Sequence, residues 1–371
     1  MAADRSKGVK IRVLEVLATL KRAGAEVMAV SLARRLEPAR FETAVVSLYD
    51  AFPGGLEPEL AATGIRTWHL GKRPGFDPRM IRGLRRVIRE FRPEVIHSHS
   101  YVLRYSLPAA FGLGRPAMAH TVHNLAARES DLFGRLLHRW AFGRRVAAVA
   151  VGEEVRRSFE EWYGRPPAAT IRNGIETALA APDARARWRA AHGFHEDDVL
   201  IVSAGRLDPQ KNPVGLIDAF GVVSAVEPRA HLLLAGDGSL RSTAEAAAGE
   251  RVRFLGVRGD VADILAASDM FALASDWEGT PLAVMEAMAA GLPVAATAVG
   301  GVPELAADGA GVLVEAGDMA GLGNALLDLA RDPDRRRALG AVARKRAESF
   351  SARAMVDAYA ALFVRLAGGA R

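Results

Sequence analysis

The chain has 371 residues and no cysteine, which excludes a disulfide scaffold, a thiolate metal site, an iron–sulfur cluster and a thiol nucleophile. Long hydrophobic runs are also lacking. The longest uncharged stretch, 287–303, has 17 residues and is broken by Pro293 and three glycines, so it is too short to span a bilayer. Residues 1–20 lack the apolar core of a secretion signal, because Arg12 and Glu15 interrupt it. These absences predict a cytoplasmic protein without a transmembrane helix.

Apolar and charged residues are plentiful, at 50% and 25% of the chain. This balance is typical of a globular protein and excludes a disordered or coiled-coil chain, while the length favours two packed domains. Charge is uneven, since residues 1–175 hold 29 Lys and Arg against 17 Asp and Glu. A basic half indicates an anionic partner such as a phosphate, a membrane surface or nucleic acid. An ordinary arginine-rich solvated surface explains it equally well.

Apolar segments alternate with helix-period segments through both halves of the chain. Strands that are too apolar for a half-exposed sheet, alternating with helices, indicate parallel strands that are covered by helices on both faces. The sequence therefore predicts an α/β protein of two Rossmann-like, doubly wound parallel-sheet domains that face each other across a ligand-binding cleft. The predicted strands are 11–16, 44–47, 95–98, 117–122 and 147–151 in the first half and 200–203, 231–235, 252–255, 270–273 and 294–296 in the second.

Turn signals cluster near the middle of the chain. Asn173-Gly174 is a turn dipeptide, and an Ala-rich stretch that contains Pro182 follows it, so we place a linker near residues 174–190. This divides the chain into domains over 1–175 and 176–371. The tail over 335–366 is predicted to be helical, and the last helix, about 352–371, is a candidate to pack back on the N-terminal domain.

The segment from Ser203 to Asn212 follows a predicted buried strand and precedes a helix that opens at Pro213. It contains Arg206 and Lys211. Two cations at the carboxyl end of a strand, beside the free N–H groups of a helix start, form an anion site, for which a diphosphate is the natural ligand. The alternative is a solvated loop with two surface cations.

Two carboxylates, Glu278 and Glu286, lie eight residues apart around the turn residues Gly279 and Pro281. Pro281 suits the first position of a helix, which places Glu278 just before the helix and Glu286 within it. Carboxylates accept hydrogen bonds from sugar and ribose hydroxyls, while helix N–H groups suit a phosphate. The alternative is that Glu278 compensates the helix dipole and Glu286 is simply exposed.

Two patterns invite a metal-site interpretation. The first is a set of four histidines, but strand alternation places two of them on one face and the other two on opposite faces, which disfavours convergence on one ion. The second is Asp332-Pro-Asp334, which precedes an arginine run and therefore indicates a helix N-terminus instead. We predict no metal site. The histidines are His97, His99, His120 and His123.

The segment 81–91 has an apolar face and four arginines that lie largely elsewhere. A basic amphipathic helix of this kind fits peripheral contact with a membrane surface. A helix that is packed on a sheet with its arginines in solvent is the commoner arrangement.

The segments 278–294 and 205–212 resemble the family 4 retaining glycosyltransferases, which have the two-Rossmann B-type (GT-B) fold. The resemblance covers nearly the whole chain, because further motifs occur in the order that the family shows. These are Val-Ile-His-Ser-His at 95–99, Thr-Val-His-Asn at 121–124, Ile-Arg-Asn-Gly-Ile at 171–175, Leu-Ala-Gly-Asp-Gly at 234–238, Phe-Leu-Gly at 254–256 and Ser-Asp at 268–269.

The resemblance implies a catalytic set. Arg206 and Lys211 would hold the donor diphosphate, Glu278 would contact the transferred sugar, and His123 would lie under that sugar with a carbonyl or ring contact. Retaining transfer in this family is viewed as front-face substitution, in which the donor phosphate takes the acceptor proton, so no protein nucleophile is assigned.

The resemblance also implies a donor-binding set. Glu286 would bind the ribose, and Gly24, in the glycine-rich turn after the first strand, would approach the distal phosphate. Ala23 departs from the family's usual paired glycines. Pro281 stands where a backbone N–H is usual, which removes one hydrogen bond to the sugar. The full set is Gly24, Asn173, Gly205, Gly236, Val257, Gly279, Thr280, Pro281, Leu282 and Glu286.

The predicted function is metal-independent, retaining transfer of a hexose-type sugar from a nucleotide-sugar donor, expected to be a UDP-sugar. The acceptor is a glycan, a lipid-linked intermediate or a small molecule, bound in the resembled family by N-terminal loops, here 51–56, 71–76 and 125–133. No cofactor and no nucleic-acid partner are expected, whereas peripheral membrane contact stays open. The alternatives are a nucleotide-sugar epimerase or phosphorylase of the same fold, and a non-catalytic basic binding module.

Overall fold

The computed structural model describes residues 10–114, 116–130, 132–176 and 180–369. Parts of four predictions lie outside these ranges: residues 1–9 of the first domain, 131 of an acceptor loop, 177–179 of the linker and 370–371 of the last helix. The chain forms two compact units. The first reaches Arg172 and resumes at Ala352, and the second is Asn173–Ser351.

The first unit contains a seven-stranded parallel sheet in the order β3-β2-β1-β4-β5-β6-β7. Its strands are β1 (Ile11–Leu17), β2 (Phe41–Ser47), β3 (Arg66–His69), β4 (Val95–His99), β5 (Ala117–Val122), β6 (Val146–Ala150) and β7 (Ala169–Thr170). Its helices, numbered along the whole chain, are α1 (Gly24–Arg35), α2 (Glu57–Ala62), α3 (Arg79–Phe91), α4 (Leu103–Ala110), α5 (Ala126–Glu129), α6 (Leu132–Ala141), α7 (Glu153–Tyr163) and α16 (Ala352–Gly369).

The second unit contains a six-stranded parallel sheet in the order β10-β9-β8-β11-β12-β13. Its strands are β8 (Val199–Ala204), β9 (Ala230–Ala235), β10 (Val252–Gly256), β11 (Met270–Leu273), β12 (Val294–Thr297) and β13 (Gly311–Val314). Its helices are α8 (Ala184–His192), α9 (Pro213–Ser224), α10 (Arg241–Ala247), α11 (Val261–Ala267), α12 (Leu282–Ala289), α13 (Val302–Leu305), α14 (Met319–Arg331) and α15 (Pro333–Ala347).

The predicted fold class is confirmed, because both units are parallel sheets with the strand order of doubly wound folds. All ten predicted strands exist, with ends within about three residues of the predicted ones. Three short strands were not predicted. β3 is half exposed and charged, β7 has only two residues, and β13 is nowhere fully buried, so none of them has the long apolar pattern that marks a central strand.

The predicted linker is wrong over residues 184–190, which lie in α8. The Arg189 side chain of this helix is buried, and it donates to the Asp269 carboxylate at 2.7 Å and to the Ala267 carbonyl at 2.8 Å. The Asp269 carboxylate also accepts the Leu200 N–H at 2.7 Å. The Ser-Asp motif at 268–269 therefore anchors α8 to the sheet.

The tail is helical, but it is not one helix. α15 ends at Ala347 and α16 begins at Ala352, and the two helices belong to different units. In the first unit α16 packs against α1, β1, β4 and β5.

The basic helix predicted over 81–91 corresponds to α3. Its apolar side chains, including Leu84, Val87 and Ile88, are buried in the core of the first unit, while Arg82 and Arg86 are exposed. The structure therefore shows a helix packed on the sheet with solvated arginines, and its apolar face is not available to a membrane. Across the described residues, every helix is too short or too polar to cross a bilayer.

Candidate active site

The loop between β8 and α9 carries the two predicted cations. The Arg206 side chain is 55% exposed, and its guanidinium lies 2.7 Å from the Asp208 carboxylate and 3.1 Å from Gln210 Oε1. Asn212 caps α9 by accepting the Gly215 N–H at 3.0 Å. This places the cations at the carboxyl edge of the sheet beside a helix N-terminus, which is the geometry of an anion site.

Lys211 and Glu278 form a direct ion pair, although 66 residues separate them in the sequence. The Lys211 ammonium lies 2.6 Å from Glu278 Oε1, and the two side chains are 18% and 4% exposed. The Ser275 hydroxyl donates to the same oxygen at 2.6 Å, and Gln210 Nε2 lies 3.4 Å from Oε2. The residues expected at the diphosphate and at the sugar are therefore neighbours.

The backbone around Glu278 is fixed by the loop that follows β12. A Cβ on Gly300 would lie 2.0 Å from the Glu278 carbonyl oxygen, and the φ of Gly300 is +54°. The next residue, Gly301, donates its N–H to the Gly279 carbonyl at 2.7 Å. Only glycine fits at position 300, because any side chain would displace the loop that carries Glu278.

The backbones of Gly236 and Gly205 also approach each other closely, beside Lys211. A Cβ on Gly236 would lie 1.8 Å from the Gly205 carbonyl oxygen, and Gly205 itself packs on the Lys211 side chain. The Gly205 N–H donates to the Ala235 carbonyl at 3.0 Å. Both glycines let the ends of β8 and β9 approach closely around the cation loop.

Helix α12 carries the second predicted carboxylate. Pro281 is the residue before the helix rather than its first residue, Leu282 begins the helix, and Glu286 lies one turn further. Burial raises the pKa of Glu286 to about 7, because a low-dielectric environment disfavours the charged form. Near neutral pH this carboxyl exists in both protonation states.

Two further predicted residues meet at the start of the second unit. The Asn173 side chain is buried and donates from Nδ2 to the Thr280 carbonyl at 3.2 Å. Val257 follows β10, and half of its side chain is exposed. Because Val257 is apolar and half exposed, its side chain can contact the flat face of a nucleobase.

In the first unit, Gly24 begins α1 at the carboxyl end of β1, and His123 follows β5. A Cβ on Gly24 would meet open space. The His123 N–H donates to Glu129 Oε1 at 2.6 Å, and the next N–H, of Asn124, donates to the same oxygen at 2.7 Å. Burial raises the pKa of Glu129 to about 8, although these two N–H groups lower it in part.

The four histidines divide into two groups. The rings of His97 and His99 both contact Glu15, at 2.9 Å and 2.7 Å, and His123 Nε2 lies 2.9 Å from His99 Nδ1. His120 instead shares a hydrogen bond of 2.9 Å with the Ser98 hydroxyl. Strand alternation therefore placed His97 and His99 correctly on one face.

One group of side chains in the described part of the chain has the geometry to hold a metal ion. Glu15, His97 and His99 bring three ligand atoms within 4.8 Å of one another, all of them buried. These atoms already pair with one another as hydrogen-bond donors and acceptors, so hydrogen bonding accounts for the cluster. Asp332 caps α15 by accepting the Arg335 N–H at 2.8 Å, so its acidic motif is a helix N-terminus, as predicted.

The sequence did not indicate the residues that hold the candidate site residues in place. Gln210 lies within the segment 203–212 and Ser275 lies three residues before Glu278, but neither was given a role. Gly300 was counted only among the glycines that break the uncharged stretch 287–303. Glu15 was noted only because it interrupts an apolar run. A charge in the middle of a buried strand is a signal of a polar partner, and it could have indicated the histidine cluster.

Comparison with known proteins gives matches along most of the chain. Residues 22–179 match the family model described as Glycosyltransferase Family 4, and residues 184–346 match the model described as Glycosyl transferases group 1. A crystal structure of HepE from Anabaena in complex with UDP-glucose is similar in fold. Its TM-score is 0.84, with 20% sequence identity over 96% of this chain and 100% of that chain.

Two curated relatives are more similar in sequence. One is the GDP-mannose-dependent monoacylated alpha-(1-6)-phosphatidylinositol monomannoside mannosyltransferase of Corynebacterium glutamicum, 33% identical over 54% of this chain and 56% of the relative. The other is the UDP-Gal:alpha-D-GlcNAc-diphosphoundecaprenol alpha-1,3-galactosyltransferase of Escherichia coli, 27% identical over 69% of this chain and 71% of the relative. The chain thus spans little more than half the length of the corynebacterial relative.

Proposed function

This chain is a glycosyltransferase that belongs to family 4 and has the GT-B fold, and we propose that it transfers a hexose-type sugar from a nucleoside diphosphate donor with retention. The proposed donor is a UDP-sugar, and the proposed transfer needs no metal ion. The observation that carries the proposal is the buried Lys211–Glu278 pair beside the cation loop and the start of α12.

The Lys211–Glu278 pair can bind both the phosphate and the sugar of a sugar diphosphate. An ammonium has three N–H donors, so Lys211 can keep its bond to Glu278 while it donates to a phosphate oxygen. Glu278 Oε1 accepts hydrogen bonds from Lys211 and Ser275. Among the described residues, Oε2 accepts only the longer bond of 3.4 Å from Gln210. Oε2 can therefore accept a sugar hydroxyl.

The leaving group of the reaction is a nucleoside diphosphate whose negative charge increases as the glycosidic bond breaks. Lys211 is held in place by a buried carboxylate, and Arg206 extends from the same loop. Positive charge that is already oriented stabilises the departing phosphate without reorganisation. This supports a mechanism in which Lys211 and Arg206 stabilise the negative charge of the departing phosphate.

For a retaining reaction, the state of Glu278 favours front-face substitution over a covalent intermediate. A carboxylate that is neutralised by an ammonium at 2.6 Å and bonded to a hydroxyl is a weak nucleophile. It suits sugar positioning better than covalent catalysis. We therefore propose front-face substitution, in which the acceptor proton passes to the leaving phosphate oxygen as the new glycosidic bond forms.

The two relatives are named for transfer to a phosphatidylinositol mannoside and to a GlcNAc-diphosphoundecaprenol. We propose an acceptor of the same kind, a sugar carried on a lipid phosphate or diphosphate. Retaining transfer predicts that radiolabelled sugar moves from an α-linked nucleotide donor to such a lipid and that the product linkage is α by NMR. A β-linked product would contradict retention, and isomerised donor with no nucleotide release would indicate an epimerase.

Peripheral membrane contact is proposed at a surface other than α3. The first unit has a cavity of about 1150 Å³, and it includes the exposed aromatic side chains of Phe111 and Trp140. None of its described lining residues is acidic, and five are arginines: Arg104, Arg144, Arg145, Arg165 and Arg365. Exposed aromatics among arginines fit the interface of an anionic bilayer.

Flotation with vesicles of phosphatidylglycerol and phosphatidylcholine tests this surface. The triple variant Trp140→Ser/Arg144→Gln/Arg145→Gln should lose most of the vesicle-bound fraction. A matched variant of the exposed face of α3, Arg82→Gln/Arg86→Gln, should keep it at the same salt concentration. The reverse pattern, or no flotation of the wild type, would contradict the assignment.

A further inference from the structure

A continuous network of buried side chains connects the middle of β1 to His123. Glu15 lies opposite His97 in the register of β1 and β4. Its carboxylate contacts His97 Nδ1 at 2.9 Å and His99 Nε2 at 2.7 Å. His99 Nδ1 in turn lies 2.9 Å from His123 Nε2. Glu15, His97 and His99 are at most 1% exposed.

The charge state of this network follows from its burial. Burial alone raises the pKa of Glu15, but the charges and hydrogen bonds of His97 and His99 lower it to about 2. Burial and the neighbouring His97 lower the pKa of His99 to about 4, although Glu15 raises it in part. Burial, His99 and His97 hold the pKa of His123 well below its usual range. Near neutral pH Glu15 is therefore a carboxylate, and the rings of His99 and His123 are neutral.

A neutral ring has one donor and one acceptor nitrogen, so the carboxylate determines each tautomer in turn. Glu15 only accepts, which places the His99 proton on Nε2 and leaves Nδ1 as an acceptor. The bond between His99 Nδ1 and His123 Nε2 then requires the His123 proton on Nε2. The opposite direction would need a doubly protonated His99, which burial disfavours.

We propose that Glu15 and His99 are positioning residues that fix His123 in the tautomer with its proton on Nε2, so that Nδ1 is an unprotonated acceptor for a substrate hydroxyl. The role of Nδ1 rests on the proposed glycosyl transfer, whereas the tautomer itself does not. His123 would act as an oriented acceptor in this arrangement and form no covalent bond. Glu129 holds the backbone of the same residue through its N–H, so ring and backbone are fixed from two sides.

The second branch of the network leads away from His123 and provides a matched control. His97 donates through Nδ1 to Glu15, its Nε2 shares a hydrogen bond of 2.7 Å with the Thr121 hydroxyl, and that hydroxyl lies 2.9 Å from the Tyr359 hydroxyl. Tyr359 belongs to α16. Loss of the Thr121 hydroxyl disturbs the same buried cluster but removes no hydrogen bond of the His99 or His123 ring.

The test is a long-range ¹H–¹⁵N correlation spectrum of the full chain with ring-labelled histidine, recorded without any sugar nucleotide. The signals of His123 are identified by their loss in His123→Gln. The proposal predicts a protonated Nε2 and an unprotonated Nδ1 for wild-type His123. It also predicts that this pattern disappears or becomes mixed in His99→Phe and is unchanged in Thr121→Val.

Steady-state transfer with the same variants separates positioning from stability. His99→Phe should lower kcat at least about tenfold, the lower end of the loss seen when the hydrogen-bond partner that orients a metal-bound histidine is removed. Thr121→Val should lose stability but keep kcat within about twofold. Protonation of wild-type His123 on Nδ1 overturns the proposal even if His99→Phe does not fold. A correct tautomer with unaltered kcat in His123→Gln would instead reject its role in transfer.

Discussion

Removal of the Lys211 ammonium tests whether the ion pair is as buried as the structure shows. In Lys211→Met, the Glu278 carboxylate stays 4% exposed but loses its cation. Breaking a buried ion pair from one side costs about 3–5 kcal/mol. Lys211 is partly exposed and Ser275 still donates to Glu278. We therefore expect a loss of about 2–3 kcal/mol in the free energy of unfolding of the second unit.

The loop supplies its own control. Arg206 carries the same charge and lies 2.7 Å from Asp208, but its side chain is 55% exposed. Exposed pairs contribute about 0–1 kcal/mol, so Arg206→Met should change stability little. For a unit of this size, 2–3 kcal/mol corresponds to a fall in Tm of roughly 4–12 °C. The double variant Lys211→Met/Glu278→Gln should recover part of the loss, because no unpaired charge is then buried.

Thermal unfolding followed by circular dichroism, together with urea titration, measures both variants at the same pH and salt. If Lys211→Met and Arg206→Met are equally stable, the Lys211–Glu278 pair is not buried in solution. The reasoning from ion pair to diphosphate site then fails. Transfer activity should fall at least about tenfold in Lys211→Met, because the oriented cation is lost.

Three further predictions concern other residues of the site. Because the pKa of Glu286 is raised to about 7, ribose hydroxyls should bind its charged form. Nucleotide affinity should then rise severalfold between pH 6 and 8 by calorimetry, and Glu286→Gln should abolish this dependence. Gly236→Ala should lower stability by more than 1 kcal/mol through its contact with the Gly205 carbonyl, whereas Gly24→Ala should not, which urea titration can check. His123→Ala should lower kcat with its circular dichroism spectrum unchanged, and wild-type kinetics would remove His123 from the site.

The fold was predictable because most residues of its central strands are apolar. β6 and β11 are continuous apolar runs between helix-period segments, and β8 is interrupted only by Ser203, a pattern that is characteristic of doubly wound sheets. The edge strand β3 was not predicted, because its four residues are partly charged and half exposed and therefore resemble a loop. The boundary between units was blurred for a similar reason, since the Ala-rich start of α8 resembles a linker.

The residues of the candidate site were proposed from local sequence patterns, whereas their contacts could not be predicted from such patterns. The Glu-x7-Glu spacing and the cations of the β8 loop are local patterns. The Lys211–Glu278 pair joins loops that follow β8 and β11, so it depends on the strand order, which the sequence does not state. The same is true of Glu15 and His97, which meet only because β1 and β4 are neighbours in the sheet. The long-range pairing of polar groups is determined by strand order and register, and local periodicity in the sequence predicts neither of them.

The most direct test of the central claim is nucleotide binding to the wild-type chain and to Lys211→Met by calorimetry, with UDP, GDP and ADP in the presence of EDTA. The control is Arg229→Met, which removes an exposed cation of the same unit. We predict that UDP binds the wild type and the control equally without a divalent ion, and that Lys211→Met binds at least about tenfold more weakly. Equal binding by all three proteins, or binding that requires a divalent ion, would contradict the claim that Lys211 holds the donor diphosphate.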